Sequence, residues 1–420
     1  MSKNARDRRP YIRPVTRIEL PEGNIKLRMI LIVVLLSIAV VAVVFGLVSA
    51  LKTEPGWQEV EVTSSELNCS RDFVLMYEFG MDGIDATSEY RNVTRMYTEL
   101  TEFAFRIFSA DTEVENLGNV WYLNRHPNEE VAVAHELYKA LELVTEYDSR
   151  YLFLGPVYDV YDPVFLAETS AEAALYDPAR EPELAAYVQE TMQYCADPNR
   201  IRLELLGEDR VKLHISEDYL AYAQENGIET FLDFGWMTNA FVADYMADTL
   251  AVSGYTNGYL ASYDGFTRNL DERGNGYSYN LFDRQGQDIY MPGRLNYDRP
   301  MSIVFLRNYP LSEQDQWHYH AYEDGQITSA MVDTADGAVK SATDNLVVYS
   351  SDIGCAELLL KAAPVFISEE LDIQALHEWT QDGIGSIWGE GGSLCYNDED
   401  AQLELLPESG GAEYALKQVK

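Results

Sequence analysis

The sequence predicts an α+β domain of about 330 residues set behind a single N-terminal membrane helix. Three observations carry this prediction. Apolar residues recur at three and four in several stretches, β-rich runs are mixed among them without a regular β-α-β alternation, and Met29 to Leu51 is one uncharged apolar run. No internal repeat interrupts the pattern.

Residues 1–28 carry Lys3, Arg6, Arg8, Arg9, Arg13, Arg17, Lys26 and Arg28 against Asp7, Glu19 and Glu22, a basic tail that the positive-inside rule places in the cytoplasm. As a helix, residues 29–51 span about 34 Å, enough to cross a bilayer core. Val48-Ser49-Ala50 offers the small residues of a signal-peptide cleavage site, but the run is longer than the apolar core of such a peptide, so an uncleaved anchor is expected. Residues 52–72 then read as a stalk, 73–405 as the extracytoplasmic domain, and 406–420 as an acidic and polar tail.

Within the domain, Phe73 to Phe79 reads as a strand ended by Gly80 and Asp82-Gly83. Val93, Met96, Tyr97, Leu100, Phe103, Ala104 and Ile107 form one stripe of a helix from about Ser88 to Phe108, and Ala134, Leu137, Tyr138, Leu141 and Val144 mark the next. Thr238 is placed to cap a helix running through Ala251, with Gly254 as its stop. Tyr259 to Tyr263 is a short strand. Asp271 to Arg299, rich in Gly, Asn, Asp and Tyr, reads as a long loop or a set of short hairpins. Strands return at Met301 to Leu306 and Leu346 to Tyr349.

The net charge of −38 repels phosphate backbones and anionic lipid, which excludes nucleic acid as a partner. Such acidity also simply keeps an exported domain soluble. Cys69, Cys195, Cys355 and Cys395 are scattered without a C-x-x-C pair, leaving either buried thiols or up to two disulfides. His318 and His320 flank Tyr319, a spacing that on a strand aims both imidazoles at one face with Glu323 near; a solvated strand carries the same pattern. Gly383-Ile384-Gly385 and Gly389 to Gly392 lack G-x-G-x-x-G spacing and read as turns.

The most informative stretch is Asp233-Phe234-Gly235, followed by Asn239-Ala240-Phe241 and Asp244. It resembles the pattern Asp-x-Gly-x-x-x-Lys-Gly-Tyr-x-x-Asp of the FAD:protein FMN transferase (ApbE-like) family, with both aspartates, the first glycine and an aromatic retained. Phe103 to Ser109 with Leu117-Gly118-Asn119, Phe153 to Tyr158, Asp264-Gly265, and Ser329 to Gly337 are similar to further family landmarks in the same order. The last aligns with His-His-Ile-x-Asp-Pro-x-Thr-Gly.

The resemblance implies a two-lobed ApbE-like domain and a site for FAD and Mg²⁺. Flavin contacts would fall on Asp233, Gly235, Asn239, Phe241, Asp244, Asp264 and Gly337, a catalytic role on Asp333, and a metal ligand on Glu357. The family's reaction splits FAD at its pyrophosphate and moves FMN to a hydroxyl of an acceptor protein, which needs hard oxygen ligands for the metal and a proton carrier. Here the family's histidine falls on Ala330 or Ser329, its lysine on Asn239, and a hydroxyl ligand on Lys361, where an ammonium opposes a cation. The expectation is therefore a membrane-anchored, extracytoplasmic ApbE-like protein, catalytically impaired, that binds a flavin nucleotide or a protein partner. Two alternatives stand beside it. One is an active Mg²⁺-dependent transferase or FAD pyrophosphatase acting on an exported acceptor protein; the other is an interaction domain with an empty site, in which Gly235 and Gly337 supply turns and the aspartates cap helices.

Overall fold

A computed structural model describes residues 33–36, 40, 52–407 and 412–419. Most of the Met29–Leu51 run lies outside the described residues. Of that run Val33–Leu36 and Val40 are described, and they are helical; among the described residues no helix is long and apolar enough to cross a membrane. The described residues from Glu54 onward form one compact unit.

In chain order this unit contains β1 (Gly56–Glu59), β2 (Phe73–Phe79), α1 (Ala86–Phe108), α2 (Val120–Arg125), β3 (Glu130–Ala132), α3 (His135–Glu146), α4 (Gly155–Leu166), α5 (Ser170–Ala173), α6 (Pro182–Cys195), β4 (Ile201–Gly207), β5 (Arg210–Ile215), α7 (Glu217–Asn226) and α8 (Thr238–Val252). There follow β6 (Gly258–Ser262), β7 (Phe266–Asn269), β8 (Tyr277–Gln285), β9 (Asp288–Tyr297), β10 (Met301–Arg307), β11 (Tyr319–Ala321), β12 (Ile327–Ser329), β13 (Asn345–Ser350), α9 (Cys355–Phe366), α10 (Ile373–Trp379), β14 (Gly385–Glu390), β15 (Ser393–Tyr396), β16 (Gln402–Leu405) and β17 (Ala415–Gln418).

Nine strands make the main sheet, in the order β1-β2-β6-β7-β10-β13-β14-β15-β17, antiparallel except for the parallel β15–β17 pair. Residues from the stalk span and from the tail thus supply its two edge strands. β10 is buried at all seven positions because the sheet is covered on both sides. Its alternate residues serve different cores: Val304 and Leu306 join the helices, whereas Met301, Ile303 and Phe305 meet Leu281 and Leu295 of the three-stranded sheet β16-β9-β8. On the helical side α8 packs on α1, β6 and β7, and α9 packs on α8 and β10.

The α1 stripe is buried as its spacing requires, and Asp85 caps it by accepting from the Ser88 N–H. Several expectations need correction. Met237, rather than Thr238, is the residue before the first turn of α8, and the Thr238 hydroxyl instead donates to the Gly235 carbonyl at 2.8 Å. Asp271 to Arg299 is mostly one long hairpin, β8–β9, whose irregular register between Leu281 and Asp283 obscures the alternation. Gly385 and Gly389 lie within β14, leaving Gly391 and Gly392 as the left-handed turn into β15. His318 ends a 3-10 turn instead of lying on a strand; its neighbours are Asp264, Asp315 and Arg307, while His320 faces Asp177 and Arg180. All four cysteines are buried free thiols.

Candidate functional site

The Asp233–Gly235 turn is pinned from behind by Asn124 of α2, a buried amide whose oxygen accepts from the Phe231 and Leu232 N–H groups and whose nitrogen donates to the Leu232 carbonyl. Asp233 then closes the turn by accepting from the Gly235 N–H at 2.8 Å. Gly235 sits at φ +50°, and a β-carbon there would meet the Tyr158 ring at 2.9 Å, so both its conformation and its contact require glycine.

Tyr158 belongs to α4, and one turn later Tyr161 donates to the Gly337 carbonyl at 3.0 Å. One helix thus carries both the Gly235 turn and the loop after β12. That loop closes on itself through Gly337 N–H to the Asp333 carbonyl and Asp333 N–H to the Ala338 carbonyl. The Asp333 carboxylate accepts from the Ala335 N–H and pairs with Lys340 at 2.8 Å. Ala330, at the start of the segment, faces the same space as Asp233.

Two adjoining cavities result, sharing Gly235, Trp317 and His318. The smaller, about 180 Å³, is walled by Tyr158, Tyr161, Phe165, Asp233, Trp236 and Ala330. The larger, about 450 Å³, is bounded by Arg71, Asp72, Thr238, Asn239, Tyr263 and Asp264. Asn239 donates to Asp264 at 2.9 Å, and the other Asp264 oxygen is buried without a partner. Trp317 is 54% exposed in the shared wall. Its loop is anchored by Asp315, which accepts from the Leu311 and Ser312 N–H groups and pairs with the buried Arg307.

The electrostatics of the cleft are acidic. Burial pushes Asp233 up to about 7, with Asp111, Asp159 and Asp162 adding repulsion against the Gly235 N–H bond. Burial likewise raises Asp159 and Asp162 to about 6, and Asp72, facing Asp264, to about 6. His318 is pushed down by burial despite Asp264 and Asp315, which favours its neutral form.

The remaining sequence candidates are placed elsewhere. Phe241 is a core residue, its ring 4.8 Å from Phe234. Asp244 accepts from the Cys355 and Ala356 N–H groups at 2.8 Å each and pairs with Arg268, so it caps α9. Both border a separate hollow of about 330 Å³. Glu357 accepts from the Tyr147 hydroxyl at 2.6 Å and lines neither cavity of the cleft; Lys361 lies 5.5 Å from the Tyr147 ring and 3.9 Å from Asp382. Sequence reasoning missed Asn124, Arg71, Asp72 and Trp317. Only Trp317, an indole in the polar run Gln314 to His318, gives a signal there.

The cleft fits one part of FAD better than the rest. Its aromatic walls suit a flat ring system, and the unpartnered Asp264 oxygen suits an imide N–H such as the flavin ring carries. A diphosphate meets Arg71 and His318 but also Asp72, Asp264 and Asp315. Among the described residues no group of three or more His, Cys, Asp or Glu side chains converges as metal ligands, so any Mg²⁺ here would be held by one or two carboxylates together with the phosphates of the nucleotide.

This architecture has counterparts among solved structures. Over 84% of its length the chain superposes on 97% of the crystal structure of the ApbE protein from Thermotoga maritima, with a TM-score of 0.55 and 13% identity. A histidine-to-glycine mutant of the flavin transferase ApbE from Vibrio cholerae covers the same shares at a TM-score of 0.47 and 11% identity. No family model and no curated protein matches the sequence. At these identities the likeness is one of fold: the chain has the ApbE fold.

Proposed function

We propose that this chain is a membrane-anchored, extracytoplasmic protein that uses the ApbE fold to bind a flavin nucleotide between the Asp233–Gly235 turn, the Trp317-His318 loop and Ala330, and that it is impaired as an FMN transferase. The observation that carries the reading is Ala330. A methyl group stands in the cavity wall shared with Asp233, at a position where the resemblance has a histidine. A proton carrier is worth about 10²–10⁴ in rate, and a methyl supplies none. The tie of Glu357 to Tyr147 and of Asp244 to the start of α9 supports the same reading, because both carboxylates are engaged outside the cleft.

In this site Trp317 and Tyr158 would flank the ring, Asp264 would accept from its imide, and Asn239 would hold Asp264 in place. The phosphates would gain little beyond Arg71. FMN and riboflavin are therefore expected to bind within about tenfold of FAD, since exposed pairs contribute about 1 kcal/mol or less.

One observation favours the active alternative: His318, held toward its neutral form, borders both cavities and could serve as a base. The deciding experiment measures flavin binding by equilibrium dialysis and AMP release from FAD with Mg²⁺ on the purified chain. Saturable flavin binding, weakened by Trp317→Ala, with AMP release at the no-protein rate, is the expected result. AMP release abolished by His318→Ala or Glu357→Ala would establish an active enzyme with a rearranged site. Absence of flavin binding would overturn the whole reading.

A further inference from the structure

A further hollow lies between the two sheets, a slot of about 540 Å³, within the range of small-molecule sites. β8 packs on β13 and β14, and toward β6 and β7 the sheets leave this space between them.

Aromatic rings line both walls for a reason visible in the strands. Tyr259, Ala261 and Tyr263 stand at alternate positions along and just past β6 and so share a face; Tyr277 and Tyr279 do the same on β8. Tyr297 lies directly across from Tyr277 in the β8–β9 register, and their rings stack 5.7 Å apart at 18°. Tyr259 meets Tyr277 edge-on at 6.2 Å. Trp57, 41% exposed, stands beside this cluster, 6.1 Å from Tyr277.

The charge of the slot sets it apart from the rest of the surface. In a chain with 69 acidic residues, no Asp, Glu or Lys lines it. Its single charged residue, Arg307, is 1% exposed and already paired with Asp315. The polar groups on the slot face are instead the hydroxyls of the tyrosines and of Thr267, which pairs with Ala261 in the β6–β7 register, and hydroxyls both donate and accept.

We propose that this slot binds a neutral oligosaccharide. A pyranose ring presents a C–H face to an aromatic plane and hydroxyls around its edge, and the slot offers tyrosine rings on both walls, with their hydroxyls and that of Thr267 as donors and acceptors. Nucleotides and acidic glycans find no free cation to pair with, and cationic ligands find no carboxylate. A proline-rich peptide also docks in aromatic grooves, but its backbone presents carbonyl acceptors alone, which leaves the acceptor capacity of the hydroxyls unused.

The test is isothermal titration of the purified full chain, in a detergent without a sugar headgroup, against neutral hexasaccharides of gluco, xylo, manno and N-acetylgluco configuration, with decaproline and FMN as counter-probes. At least one hexasaccharide is expected to bind with a Kd below about 1 mM. Tyr259→Ala combined with Tyr297→Ala is expected to weaken it at least about tenfold, from the loss of two ring contacts. Ala261→Trp, which fills the slot instead of emptying it, is expected to abolish it. Neither variant should alter flavin binding in the cleft, which distinguishes loss of the slot from loss of the fold. Failure of all four saccharides, saccharide binding indifferent to both variants, preference for decaproline, or competition by FMN would each overturn the proposal.

Discussion

Replacing Asp233 by Asn keeps the acceptor for the Gly235 N–H and removes a carboxylate that is costly to ionise where it sits. The sign follows from proton linkage. With a folded pKa near 7 against 3.8 for the free side chain, Asp233 holds more protons in the folded than in the unfolded state between those values, so wild-type stability falls as pH rises through that window. About three pKa units correspond to about 4 kcal/mol. Asp233 borders a cavity open to water, which screens part of this, and the amide forms a weaker bond than the carboxylate by about 1 kcal/mol. Asp233→Asn is therefore expected to stabilise the fold by about 2–3 kcal/mol at about pH 8 and to gain little at about pH 4, where wild-type Asp233 is itself protonated. Urea denaturation of both proteins at the two pH values reads the difference directly, and taking the difference cancels the titration of Asp72, which is unchanged between them. A gap independent of pH, or a variant less stable at the higher pH, would show that burial does not govern this carboxylate.

Arg268→Ala leaves Asp244 facing only the first N–H groups of α9, and a loss of about 3 kcal/mol is expected in denaturant titration, the low end for a broken buried pair because those two hydrogen bonds remain. Adding Asp244→Asn should recover part of it; strictly additive losses would refute the coupling. Protease added outside intact cells is expected to digest residues 54–420 and spare the basic N-terminal tail, whereas full protection of the domain would reverse the proposed orientation.

Elements with one buried face were legible in the sequence. Phe73–Phe79 and the α1 stripe each alternate between core and surface with the period of their own secondary structure. The β8–β9 hairpin was not, because its register shift and its tyrosines, half-buried on the slot side, blur the period of two. Of the family-like motif, Asp233, Gly235, Asn239 and Asp264 do meet at one cleft, while Phe241 and Asp244 turn to the core and to α9. Helical rotation explains the split, since positions 241 and 244, three residues apart, share one face of α8 and position 239 lies on another. Spacing alone cannot tell which of them faces the hollow, nor that Asn124, far away in the chain, fixes the turn.

The seat of Asp244 bears on how variation at such a motif is interpreted. A carboxylate that holds a helix start and an arginine influences how much folded protein a cell retains before it can influence any reaction. A substitution there would lower abundance through the cell's quality control, with a shift of 1–2 kcal/mol enough for about a several-fold change. A phenotype at Asp244 would then be indistinguishable from a chemical defect unless protein level were measured beside it, and a lineage that had abandoned flavin chemistry would still be selected to keep this aspartate.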